Sequence, residues 1–269
     1  MATLVHSFWS RPSLIPRYGY KSEQLFLNLW YFSLSCAYAK SIGAPIVLHT
    51  DTLGARLYGH LPYDNIYTTL DAVEAPPRFW AAGKFYALRA EQDARAIHID
   101  GDVFIKRGEL WERMANSKAD ILVQFREPWI SESGVKKLKP YIKDDYIAHD
   151  SMYNTGVLGI FNKELKDKVL NTYFSAIKCA KQIPSTTLND QYFTPDLVCE
   201  QQMIAYKSIG YNVDMILSSS YKCTDEANRI GYQHVQSSSK YKDVDKCKKA
   251  LKQINYNIYI KTKKLCMGI

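Results

Sequence analysis

Along the first half of the chain, short apolar and β-branched runs alternate with longer stretches whose apolar positions recur every three or four residues. That order builds a mostly parallel sheet covered by helices. Strands are predicted over Thr3 to Phe8, Ile46 to His49, Asn65 to Thr69 and Ala96 to Ile105. Between the first two, Ser22 caps a predicted helix whose Leu25, Leu29, Phe32, Cys36 and Ala39 share one face, and Gly43 then Pro45 end it. Further helices are predicted over Arg78 to Gln92, Leu110 to Ser117, Lys163 to Lys181 and Glu200 to Ile209. Pro128 to Asp150 is polar and aperiodic and carries Gly134 and Pro140, so 128–150 reads as a lid or an acceptor insertion. The expected architecture is a single α/β domain over 1–239, followed by a C-terminal segment, 240–269, of different character.

Charge sharpens that division. The 269 residues carry a net charge of +8, which over a whole chain would suggest nucleic acid or an anionic surface. From Lys240 onward there are nine Lys against Asp243 and Asp245, a net of +7. The body is left with 26 basic and 25 acidic side chains, so a nucleic-acid partner is not expected. Within the tail, Val244, Cys247, Leu251, Ile254 and Ile258 recur at helical spacing, while Lys246, Lys248, Lys249 and Lys252 fall elsewhere on the wheel. Such a segment either lies on an anionic membrane or packs on the body with its lysines in water. The longest apolar stretch, Leu25 to Ala39, is interrupted by Asn28, Ser33 and Ser35 and falls short of the ~20 residues of a membrane span. Met1 to Ser10 reads as a strand rather than a secretion signal. Six Cys without a Cys-x-x-Cys pair fit neither a zinc site nor a disulfide framework. The expected location is cytoplasmic, at the inner membrane face if the tail takes the first of those two readings.

The sharpest local feature is Ala96-Ile97-His98-Ile99-Asp100-Gly101-Asp102, an apolar strand ending in two carboxylates one residue apart. Ligands of open α/β sheets bind at the carboxyl ends of strands. Two hard oxygen ligands there can hold Mg²⁺ or Mn²⁺, which can grip a diphosphate; on spacing alone, Asp-Gly-Asp is equally a plain turn. Three more segments follow: Tyr153-Asn154-Thr155-Gly156-Val157-Leu158-Gly159-Ile160, then Glu200-Gln201-Gln202-Met203-Ile204, then His234-Val235-Gln236-Ser237-Ser238-Ser239-Lys240.

In that order these segments resemble the motifs of glycosyltransferases with the GT-A fold, and most of all family 8, which holds glycogenin and the bacterial lipopolysaccharide galactosyltransferases. The resemblance runs from Ala2 to Lys240. It departs from the family at Thr155, at Glu200-Gln201-Gln202 and at Ser237. It implies a GT-A (Rossmann-like) mixed, mostly parallel sheet flanked by helices, and a transfer from a nucleotide sugar, in the first instance a UDP-sugar, to a glycan or lipid-linked acceptor. Asp100, Asp102 and His234 would hold Mn²⁺ or Mg²⁺, and Lys240 would neutralise the leaving diphosphate. His6, Trp9, Lys84, Asp100, Asn154 and Gly156 would meet the donor. Glu200 and Gln201 would lie beside the anomeric carbon as the catalytic pair. Among the aromatic residues of the polar insertion, Trp129 and Tyr146 are the candidate acceptor contacts. Bland readings stand beside these: a loop histidine at 234, the first lysine of the tail at 240, a solvated lysine at 84, and a first-turn glutamate at 200 that favours the helix dipole. Two other functions share the fold. A sugar-phosphate nucleotidyltransferase needs a Gly-rich basic loop after the first strand, where this chain has Ser7-Phe8-Trp9-Ser10-Arg11-Pro12. The other is a non-catalytic nucleotide-sugar-binding module.

Overall fold

The structure, a computed structural model, describes residues 2–14, 23–91, 95–128, 151–182, 197–218, 224–235 and 239–268. In chain order its elements are β1 (Thr3–Phe8), α1 (Ser10–Ser13), α2 (Glu23–Ser41), β2 (Ile46–Thr50), α3 (Thr52–Tyr58), β3 (Asn65–Tyr67), α4 (Ala82–Ala90), β4 (Ala96–Ile99), β5 (Val103–Ile105), α5 (Gly108–Ala115), β6 (Ile121–Pro128), β7 (Ser151–Ile160), α6 (Lys163–Ala180), α7 (Met203–Lys207), β8 (Val213–Met215), α8 (Thr224–Ile230), β9 (Tyr232–His234), α9 (Ser239–Ile254) and α10 (Tyr256–Gly268). Seven strands form one mixed sheet in the order β3-β2-β1-β4-β7-β6-β8, and β5 pairs with β9 in a separate ribbon. β7 is antiparallel to both its neighbours, β4 and β6, while the other pairs of the sheet are parallel. Parallel neighbours need long crossovers, and α2 and α4 supply them on opposite faces. The α/β class expected from the hydrophobic pattern is the class observed.

Each face of the sheet carries its own apolar cluster. On one, Leu4, Phe8, Ile46 and Leu48 meet Leu29, Phe32 and Cys36 of α2, and Cys247, Leu251 and Ile258 of the C-terminal helices join them. On the other, Phe79 and Phe85 meet Leu165, Val169 and Tyr173 of α6, with the Phe85 and Tyr173 rings stacked 3.6 Å apart. Helix α2 is buried on more than the one face its pattern predicts, because α9 and α10 cover its outer side. Gly43, at φ +73°, ends it in a conformation that costs glycine little; Ser22, its expected cap, lies outside the described residues. The apolar face of the basic tail is therefore spent on the body, and Thr262 adds hydrogen bonds to Ser33 at 2.9 Å and His60 at 3.0 Å.

Local departures from the predicted elements have physical causes. The strand expected over Ala96 to Ile105 is broken into β4 and β5 by the turn at Asp100-Gly101-Asp102. Glu200 does not open an α-helix; it lies in a wide π-helical turn, Leu197–Gln202, ahead of α7. The 128–150 insertion lies outside the described residues beyond Pro128, and Trp129 and Tyr146 with it.

Candidate metal and diphosphate site

The turn after β4 is held on three sides. Val103 N donates to Asp100 O at 2.9 Å and closes it, while Asp100 N donates to Gly156 O at 2.8 Å and ties it to β7. A Cβ at Gly101 would stand 2.1 Å from the Phe32 ring, so the middle of the motif has to be glycine. β7 departs from regular pairing here: Val123 faces Leu158 and Phe125 faces Asn154, so Thr155, Gly156 and Val157 oppose Gln124 alone. Bulges of this kind re-aim side chains, and they recur beside active sites.

One charged cluster grows from the bulge. Lys84 of α4 is 5% exposed, and its Nζ reaches Glu200 Oε1 at 2.5 Å, Thr155 O at 2.8 Å and Asp100 Oδ1 at 3.2 Å. Three acceptors saturate an ammonium. Burial by itself would lower the Lys84 pKa, but the Asp100 and Glu200 carboxylates outweigh it and raise the value above the usual lysine range. Thr155 Oγ1 donates to Glu200 Oε1 at 2.5 Å, which gives the hydroxyl at 155 a definite task.

A second cluster surrounds Asp102, which is 6% exposed. The β5–β9 ribbon sets His234 opposite Val103, so its Nε2 comes within 3.5 Å of Asp102 Oδ1. Its Nδ1 lies 2.8 Å from Gln124 Oε1. Lys240, in the first turn of α9, forms an ion pair with Asp102 Oδ2, and its own carbonyl accepts from Tyr31 Oη at 2.7 Å. Burial would raise the Asp102 pKa, yet Lys240 and then His234 overcome that and hold it well below the usual carboxylate range. Asp100, Asp102 and His234 each present one ligand atom, and these atoms lie within 4.8 Å of one another. Two carboxylates and an imidazole form a donor set suited to Mn²⁺ or Mg²⁺.

The other expected positions divide. Asn154 is at the site, with Nδ2 donating to Glu127 Oε1 at 3.0 Å and Oδ1 accepting from Gly156 N at 3.1 Å. His6 is not: it is 0% exposed, its ring nitrogens engage Tyr63 Oη at 2.7 Å and Ser35 Oγ at 3.0 Å, and burial lowers its pKa to about 3. No atom of His6 is left for a base, because its even position on β1 points it into the α2 cluster. Trp9 is likewise core, covered among Leu70, Val73 and Phe79. Glu200 is 4% exposed, and Lys84 and Thr155 take its Oε1, so it faces a lysine rather than an open sugar pocket. Gln201 Oε1 is enclosed without a hydrogen-bond partner among the described residues. Ser237 lies outside the described residues. The sequence pattern does not single out Gln124 or give Thr155 a role, although the Thr of Asn-Thr-Gly is the one visible signal.

No helix among the described residues is long and apolar enough to cross a membrane. The chain is similar to a solved galactosyltransferase, LgtC, in complex with donor and acceptor sugar analogues, at 11% identity over 95% of this chain and 96% of that one, with a TM-score of 0.47. An active-site mutant of LgtC is similar at 11% identity over 94% and 96%, with a TM-score of 0.48. No curated protein matches in sequence. Residues 2–263 match the model of DUF6734, a family of unknown function, and the chain belongs to that family.

Proposed function

We propose that the protein is a metal-dependent glycosyltransferase that moves a sugar from a nucleotide sugar, most simply a UDP-sugar, to a glycan or lipid-linked acceptor. One observation carries the reading. Ligand atoms from Asp100, Asp102 and His234 converge within 4.8 Å at the carboxyl end of β4, and Lys84 and Lys240 are bonded to the same two carboxylates. Open α/β sheets bind ligands at that end. The order of the sequence motifs supports the same reading.

In this reading Asp100, Asp102 and His234 hold Mn²⁺ or Mg²⁺, which would supply the positive charge that stabilises a departing diphosphate. Lys240 stands at the edge of the site, its side chain about one-third exposed at 31%, where an ammonium can add to that stabilisation. Lys84 acts from beneath, fixing Asp100 relative to Glu200 and to the bulge of β7. Asn154 keeps the bulge in shape through Gly156 N and links it to Glu127. Glu200 is then a group that holds Lys84, and the transferred sugar lies above this layer.

The test is incubation with Mn²⁺ and a panel of UDP-sugars. Slow release of UDP without any acceptor is expected, together with a thermal shift. Absence of a shift with every UDP-sugar, or undiminished turnover in Asp102→Ala, would overturn the reading. A shift without turnover across donors and acceptors would leave a binding module in place of an enzyme.

A further inference from the structure

We infer that Gln124 is a positioning residue for the metal site: its amide oxygen holds His234 in the tautomer and orientation that offer Nε2 to the cation. The inference rests on the metal-binding reading above. Gln124 is 2% exposed, between Val123 and Phe125, both 0% exposed. An amide in such a setting needs partners to offset its lost hydration. Its Oε1 finds one in His234 Nδ1 at 2.8 Å. An amide oxygen only accepts, so Nδ1 carries the hydrogen and Nε2 is the nitrogen left to meet a cation. Nε2 is the nitrogen that faces Asp102 Oδ1 at 3.5 Å, while Lys240 is bonded to the other oxygen, Oδ2. Nε2, Asp102 Oδ1 and the Asp100 carboxylate border the same space, their ligand atoms within 4.8 Å of one another, and a divalent cation placed there would take all three as ligands.

The backbone is shaped around this pair. A Cβ at Gly156 would stand 2.6 Å from Gln124 Oε1 and 2.7 Å and 2.8 Å from His234 Cε1 and Nδ1. The contact between residues 110 apart in sequence therefore passes over a bare glycine at the bulge of β7. Partners that hold the remote nitrogen of a metal-bound histidine orient the ring and raise its basicity, and removing them typically lowers metal affinity about 10–100-fold.

The experiment is a Mn²⁺ titration of the full chain followed by electron paramagnetic resonance, with thermal melts to confirm folding. Gln124→Met keeps the length of the side chain without its acceptor, and is expected to bind Mn²⁺ about 10–100-fold more weakly. Gln124→Glu keeps an acceptor in place and is expected to retain most of the affinity. Gly156→Ala pushes the pair apart without touching the amide and is expected to weaken binding as Gln124→Met does, which keeps the test open should Gln124→Met fail to fold. Wild-type affinity in folded Gln124→Met or Gly156→Ala, or equal loss in Gln124→Glu and Gln124→Met, overturns the role of Gln124 and leaves the metal site standing. A wild-type chain that takes up no Mn²⁺ overturns the metal reading and this inference with it.

Discussion

Two groups of lysines occupy opposite regimes in this molecule. Lys84 and Lys240 draw their partners from segments far away in sequence: Lys84 from the end of β4 and the turn before α7, Lys240 from Asp102. Lys246 and Lys248, on α9, pair with Asp243 and Asp245 three residues back, and the Lys246 side chain is 84% exposed. Most of the net charge belongs to the second region, and the chemistry to the first. A charge held by remote partners inside the fold costs solvation that only well-placed opposite charges offset. A charge paired locally in water changes little. Net charge therefore locates the outer face of the C-terminal helices, and burial locates the site.

The contrast predicts a graded series of effects. Lys84→Met leaves Asp100 and Glu200 without their shared ammonium, and breaking such a buried arrangement costs about 3–5 kcal/mol in urea unfolding. Adding Glu200→Gln to that variant should restore part of the loss, because the stranded carboxylate is then neutral. Leu251, 0% exposed beneath the lysine face, tests whether the tail is part of the core. Leu251→Ala should cost about 2–5 kcal/mol, whereas a tail that rests loosely on the body would give almost nothing.

His6 separates core from site by pH. Its pKa is about 3 in the folded chain against an ordinary 6.5, so between those values the unfolded chain binds a proton that the native state does not. Stability falls as pH drops from 6.5 toward 3, at about 1.4 kcal/mol per unit for one proton, and this contribution is unchanged above 6.5. His6→Gln should reduce the slope of the stability profile in that window, where His98, His49 and His60, lowered by burial as well, keep their own share, while leaving UDP affinity as it was; loss of UDP binding would return His6 to the site. The smallest effect belongs to Lys246→Ala, within about 0.5 kcal/mol in stability and with no change in UDP binding.

What is legible in the sequence varies with the kind of signal. The strand ending in Asp100-Gly101-Asp102 is legible because an unbroken apolar run has to be buried, and two carboxylates at its end then stand where the chain leaves the core. The alternating α/β order is legible for the same reason of pattern. His6 is misplaced by its sequence position because alternation along a strand says which residues share a face and not which face meets solvent. Glu200 reads as open because a first-turn carboxylate normally is, and its partner Lys84 lies 116 residues away. The tail leaves two readings because lysines around an apolar stripe look alike whether the stripe meets lipid or α2. Gln124 is invisible: one amide in Ile-Leu-Val-Gln-Phe reads as an ordinary strand residue, and its role exists only once a bulge in β7 and the β5–β9 ribbon bring His234 to it.

The central claim is that the carboxylates and His234 form a cation site that receives a nucleoside diphosphate. Isothermal titration of UDP into the wild-type chain, with and without Mn²⁺, and into Asp102→Ala tests it most directly. UDP is expected to bind only when Mn²⁺ is present, and Asp102→Ala is expected to abolish the binding. Equal UDP binding without the metal, or in Asp102→Ala, would contradict it.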